Sequence, residues 1–195
     1  MVALSGCSAL PGVATHADGS SVTLPPVGAL PDYQLGGVYS PADGVGIVAR
    51  DRAAEPADGV YSICYVNAFQ TQPGEIDDWP ADLLLRAGSE PVFDPDWPDE
   101  ALLDTSSDDT RARIAEVVTP WIIGCADDGF DAVEFDNLDS YTRSNSALEL
   151  DENLALANTL VAVAHEAGLA AGQKNAAEDA AAFHERAGFD FAVVD

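Results

Sequence analysis

From residue 32 onward the chain alternates short apolar runs with longer stretches whose apolar residues recur every three or four positions. The runs "DYQLGG" (32–37), "GVGIVAR" (44–50), "GVYSICYVNAF" (59–69), "FDAVEF" (130–135), "LAAGQKN" (169–175) and "FDFAVVD" (189–195) read as strands bounded by Gly and Pro. Between them, 108–128 carries Ile114, Val117, Val118, Trp121, Ile122 and Cys125 on one helical stripe despite Pro120. A second helix is predicted over 151–168, with Asp151 as its cap, Leu154, Leu156, Leu160, Val161 and Val163 as its apolar face, and Gly168 as its stop. A third, 176–188, also ends on Gly. Strands separated by helix-length crossovers pair in parallel, so the class is α/β.

Six strands are countable where a closed (β/α)8 barrel has eight, and the sequence stops inside the sixth. The expectation is therefore a TIM-barrel-like domain over 31–195, with about six of eight strands present and the C-terminal part missing. No Gly-rich phosphate fingerprint follows the first strand, which disfavours a nucleotide-binding sheet.

In parallel α/β folds, sites form at the C-terminal ends of strands. Glu134, Asp136, Lys174, Asn175 and Asp195 all fall there. Side chains alternate across a strand, so Glu134 and Asp136 share a face while Val133 and Phe135 face the helices. If Tyr65 and Asn67 point inward with them, Cys64 points to the helix layer, where Cys125 sits. The pair is then a disulfide or two buried thiols. On 169–175, parity joins Gln173 with Asn175 or Gly172 with Lys174, and either pair can face inward.

The segment "GFDAVEFDNLDSY" (129–141) holds Asp131, Glu134, Asp136 and Asp139. Asp131 fits the strand's entry, and Asp139 fits a cap or loop position. Glu134 is different, because a mid-strand carboxylate between apolar neighbours costs several kcal/mol if unpaired. Calcium-loop spacing is absent. Two carboxylates suit glycosidic bond cleavage, one ionised as nucleophile and one protonated as acid. Residues i and i+2 of one strand lie about 6.5–7 Å apart and approach a sugar from one side, so the opposing acid is expected from another strand, at Asp195 or the residue that would follow it. Such hydrolysis needs no metal or organic cofactor. Lys174, the only lysine, raises a Schiff-base aldolase as a minor alternative, although a carboxylate-rich site favours an ammonium over the free amine that chemistry requires. His16, His165 and His184 read as surface or satisfied residues. Trp79 and Trp97 are candidates for stacking on sugar, and Trp121 for the core.

Eight basic residues against 34 acidic ones give a net charge of −26, which excludes nucleic acid as a natural partner and favours a cationic one. Leu4-Ser5-Gly6-Cys7 resembles the bacterial lipobox, so Cys7 is expected to carry a lipid anchor, with 1–30 a partial lipoprotein signal and tether. The expected location is extracellular or cell-envelope, and the expected state is a monomer.

"YSICYVNAFQTQ", "GFDAVEFDNLDSY", "GLAAGQKN" and "FDFAVV", in this order and with "DYQLGG" upstream, resemble glycoside hydrolase family 114, the endo-α-1,4-polygalactosaminidase-like barrels. The resemblance implies an exported retaining glycosidase acting on a cationic or amino-sugar polysaccharide. It matches the family's acidic E-x-D-N motif to Glu134, Asp136 and Asn137, with Asp136 as nucleophile, and puts Asp195 first in the acidic pair that supplies the acid/base. Gln34, Tyr65, Asn67, Asn137, Asp139, Lys174 and Asn175 are the implied substrate-binding set. A non-catalytic carbohydrate-binding barrel is the alternative.

Overall fold

The computed structural model describes residues 11–16 and 19–194, so Cys7 and Asp195 lie outside the described residues. The elements are β1 (Val13–Thr15), β2 (Ser21–Thr23), β3 (Leu30–Tyr33), β4 (Val45–Asp51), β5 (Tyr61–Asn67), β6 (Arg86–Ala87), β7 (Glu90–Pro91), α1 (Asp108–Asp128), β8 (Ala132–Asp136), α2 (Leu150–Glu166), β9 (Ala170–Lys174), α3 (Ala180–Ala182) and β10 (Phe191–Val193). Strands β3, β4, β5, β8, β9 and β10 form one parallel sheet in that spatial order. Sequential parallel order, with helices in the crossovers that follow β5, β8 and β9, is the arrangement of a (β/α)8 barrel, here over six strands.

The helix α1 starts at a reciprocal cap: the Ser107 side chain accepts from Thr110 N–H at 3.1 Å and Thr110 Oγ1 accepts from Ser107 N–H at 3.3 Å. It ends at Gly129, whose φ of 95° is a left-handed conformation that glycine adopts without strain. Its stripe of Ile114, Ala115, Val118, Ile122 and Cys125 packs with Leu154, Leu156, Ala157, Leu160 and Val161 of α2 onto Val133 and Phe135 of β8. Each large aliphatic side chain buried in this layer contributes roughly 1.5–3 kcal/mol. The layer also holds a Cys64–Cys125 bond, Cα–Cα 6.0 Å, which ties β5 to α1. No helix among the described residues is long and apolar enough to cross a membrane.

Three elements differ from the sequence reading. Helix α2 is capped by Glu149, whose N–H is taken by Glu152 Oε2 at 2.7 Å, in place of Asp151. The segment 176–188 is not one regular helix: it runs through a 3-10 turn (Ala177–Asp179), α3 and a π turn (Phe183–Ala187) before Gly188. The stretch expected as a tether carries the β1–β2 hairpin, and Val22, 2% exposed, seats it against Ala49, Tyr61, Ile63, Ala132 and Ala170 at the N-terminal ends of the barrel strands. Strands of three residues are too short to show a period, and a small-residue composition reads as linker for that reason.

Candidate active site

Register fixes which side chains meet at the C-terminal ends of the strands. Tyr65 lies opposite Glu134 and Asn67 opposite Asp136, while Glu134 lies opposite Gly172. The Glu134/Asp136 face is thus the inner one. The pair left open on β9 is Gly172 with Lys174. Gln173 turns outward, donating to the carbonyls of Asn175 (2.7 Å) and Ala176 (3.0 Å). A Cβ on Gly172 would lie 2.5 Å from the Phe191 ring and 3.2 Å from Glu134 Cβ, so only glycine lets those side chains cross β9.

Asp136 is held by three donors. Tyr65 O–H gives to Oδ2 at 2.9 Å, while Asn137 N–H and Asn175 Nδ2 give to Oδ1 at 2.8 and 3.1 Å. Asn137 and Asn175 reach it from left-handed backbone, φ 63° and 62°, a conformation that Asn tolerates best after Gly. Burial, and then the Asp136 charge, push the Tyr65 hydroxyl far up, so it stays a donor at any working pH.

Around this carboxylate runs a second, buried layer. Asn67 Nδ2 donates to Glu100 Oε2 at 2.9 Å, and Asn67 Oδ1 accepts from Asn137 Nδ2 at 3.0 Å. Arg143 gives Nη2 to Asn137 Oδ1 at 3.1 Å and pairs with Asp94 (2.6 Å) and Asp139 (2.9 Å). Burial raises the Glu100 carboxyl to about 7, against the Asn67 hydrogen bond and helped by the Asp136 charge. At Asp94 burial works in the same direction, but the Gln70 and backbone hydrogen bonds and the Arg143 charge prevail and lower its pKa. Glu134, fully buried, accepts from Tyr33 O–H at 2.5 Å. Lys174, 4% exposed, brings its ammonium to 5.9 Å from the Tyr33 ring.

Asp136, Glu134, Tyr65, Asn67, Asn137, Lys174, Asn175 and, through Arg143, Asp139 therefore share one end of the sheet. Gln34 does not join them. It lies on the outer face, where Arg50 Nε (3.0 Å) and Tyr39 N–H (3.3 Å) donate to its Oε1 and it donates to Asp32 (2.9 Å). The inward residue of β3 is its neighbour Tyr33, opposite Ala49. Trp79 is only 5% exposed, packed edge-on against Trp121, and so is core, whereas Trp97 is 60% exposed.

Sequence reading misses Tyr33, Asp94, Glu100 and Arg143. Tyr33 was one alternation step from recognition. Asp94 and Glu100 come from the long 68–107 connection, which folds through single bridges such as Gln70–Leu102 and Phe93–Ala101 and leaves no period to read.

Carboxylates in unlike surroundings, Glu100 pushed up by burial and Asp136 held in place by three donors, suit acid–base and nucleophilic chemistry on a glycosidic bond. The comparisons with known proteins agree in kind. The Ega3 protein of Aspergillus fumigatus, solved in complex with galactosamine, superposes with a TM-score of 0.65 at 23% identity over 86% of this chain and 67% of its own. The glycoside hydrolase domain of PelA from Pseudomonas aeruginosa does so with 0.60 at 15% identity, over 85% and 66%. The chain thus spans about two thirds of the length of each, and at these identities the likeness shows a common fold. No curated protein matches. The model of one protein family covers residues 13–195, hairpin included, and on that match the chain belongs to glycoside-hydrolase family GH114.

Proposed function

We propose that this chain cleaves an α-1,4-linked galactosamine-type polysaccharide outside the cell by a retaining two-carboxylate mechanism, with Asp136 as nucleophile. The three hydrogen bonds on Asp136 carry the reading, because donors from three residues fix one carboxylate in place at the end of its strand, as a nucleophile requires. In the first step an Asp136 oxygen bonds to the anomeric carbon as the glycosidic C–O bond breaks, and the acid carboxyl, assigned to Asp195, protonates the leaving oxygen. In the second, that carboxylate takes a proton from water, the water oxygen bonds to the anomeric carbon, and the bond to Asp136 breaks.

The acid-rich mouth and the net charge of −26 favour a polymer bearing free ammonium groups. The galactosamine bound to Ega3 supports the same kind of sugar. Within this reading Tyr65, Asn137 and Asn175 orient the nucleophile, while Lys174, Asp139 and the half-buried rim bind sugar hydroxyls and amines. Export is supported by the Cys64–Cys125 bond, a feature of oxidising compartments, with Cys7 as the proposed site of lipid anchoring.

The test is Asp136→Asn, assayed by the release of reducing ends from a de-N-acetylated galactosamine polymer. We expect activity to fall by at least about a thousandfold while the melting temperature stays near that of the unaltered protein. Retained hydrolysis removes Asp136 from the role. An unaltered protein that binds the polymer without shortening it marks a carbohydrate-binding barrel in place of an enzyme.

A further inference from the structure

Three residues distant in sequence meet at the opposite end of the sheet from the carboxylates. His16 leaves the β1–β2 hairpin at its turn, where its N–H donates to the Ser20 carbonyl (2.9 Å) and its carbonyl accepts from Gly19 N–H (3.0 Å). His165 closes α2, and Asp190 immediately precedes β10. We propose that His16, His165 and Asp190 bind a zinc-class divalent metal, which clips the hairpin to the floor of the barrel.

The geometry carries the proposal. One ligand atom from each residue lies within 4.8 Å of the other two. Asp190 Oδ1 is 3.4 Å from His16 Nε2 and Oδ2 is 2.9 Å from His165 Nε2. Two ligands about 2.0 Å from a tetrahedral ion stand roughly 3.3 Å apart, so each imidazole already stands near ligand spacing from a carboxylate oxygen, and a modest turn of His16 brings the set to one ion. Two imidazole nitrogens and one carboxylate oxygen select zinc and its transition-row neighbours over calcium or magnesium, which take oxygen ligands. The carboxylate is also oriented from behind: Ala171 N–H donates to Oδ2 at 2.8 Å, and Asp190 N–H donates to the Ala171 carbonyl at 2.9 Å.

The two rings stack at 3.6 Å with 17° between their planes, and both direct Nε2 at the one carboxylate. An ion shared by both nitrogens lies near both ring planes, so loading fans the stack open. His16 makes that turn, since its side chain is 20% exposed against 7% for His165 and 4% for Asp190. Three protein ligands leave the fourth position to water. An ion that binds the folded chain and not the unfolded one stabilises the hairpin by mass action, and the chain's large negative charge raises the local cation concentration.

The full chain, stripped with chelator, is titrated with Zn²⁺ by calorimetry, with Ca²⁺ as the control for the many carboxylates. We expect one zinc per chain and a rise of several degrees in melting temperature with zinc alone. His16→Gln is expected to lose at least about tenfold in zinc affinity and all of the thermal response, with polymer hydrolysis unchanged. Equal zinc affinity in the two proteins, or equal responses to zinc and calcium, overturns the site. The Co²⁺ spectrum of the unaltered protein decides independently of any variant's folding: intense tetrahedral bands are expected, and weak octahedral bands alone refute it.

Discussion

At the floor of the barrel the inward residues are Ala49, Tyr61, Ile63, Ala132 and Ala170; further along the same strands they are Tyr65, Asn67, Glu134, Asp136 and Lys174. The backbone differs as well. Of the five described non-glycine residues with left-handed backbone, Asn137, Asn175 and Ala176 directly follow the C-terminal ends of β8 and β9. Residues at the floor make mainly apolar contacts that tolerate small shifts, whereas the polar groups at the mouth depend on specific donors, three of them on Asp136. Stability is therefore concentrated at one end and chemistry at the other.

The largest expected effect breaks the floor alone. Ile63 is 3% exposed and packs under the hairpin, so Ile63→Ala removes buried methyl groups and leaves a cavity costing about 2–4 kcal/mol. Denaturant unfolding measures that loss. Specific activity well below the new melting temperature should stay within about twofold, because Ile63 packs in the apolar floor cluster and supplies none of the hydrogen bonds that hold Asp136. A parallel collapse of activity contradicts the division of labour.

Tyr65→Phe inverts that signature from two residues along the same strand. The ring volume is kept, but Asp136 Oδ2 loses its 2.9 Å donor. A hydrogen bond to a charged group is worth roughly 1.5–3 kcal/mol, so kcat is expected to fall about ten- to a hundredfold with little change in the melting temperature. A loss confined to KM would make Tyr65 a substrate contact, not an orienter of the nucleophile.

How much of this was legible depends on whether a local period exists. The span 108–128 is a helix of 21 residues with the predicted limits, because its stripe runs unbroken from Ile114 to Cys125, about three turns, between a Ser107 cap and a Gly129 stop. Alternation on β8 placed Glu134 and Asp136 inward and Cys64 toward Cys125 by the same logic. Gln34 fails by one position: β3 is four residues long with a register shift between Leu30 and Pro31, so parity had nothing to anchor it and Tyr33 took the inward place. Glu100 and Asp94 reach the mouth through tertiary bridges across a 40-residue connection, and His16 reaches His165 through a hairpin that composition disguised as a tether.

Glu100 gives the smallest effect and the sharpest probe of the mouth's electrostatics. Its carboxyl stands near 7 in the fold against 4.5 in the open chain. Between those values the folded state retains a proton that the unfolded state releases, so stability is greatest below about pH 4.5 and declines as pH rises toward 7. Asp94 has the opposite sign, with a lowered pKa whose contribution disappears only as pH falls below the ordinary value of 3.8, so the two windows do not overlap. Glu100→Gln keeps the shape and an acceptor for Asn67 while removing the titration. Unfolding free energies from pH 4.5 to 7 should therefore fall less steeply in the variant, by about 1–2 kcal/mol across the window. If both proteins decline in parallel, Glu100 is already ionised at the bottom of the window, and the mouth is wetter and less costly to charge than its burial implies.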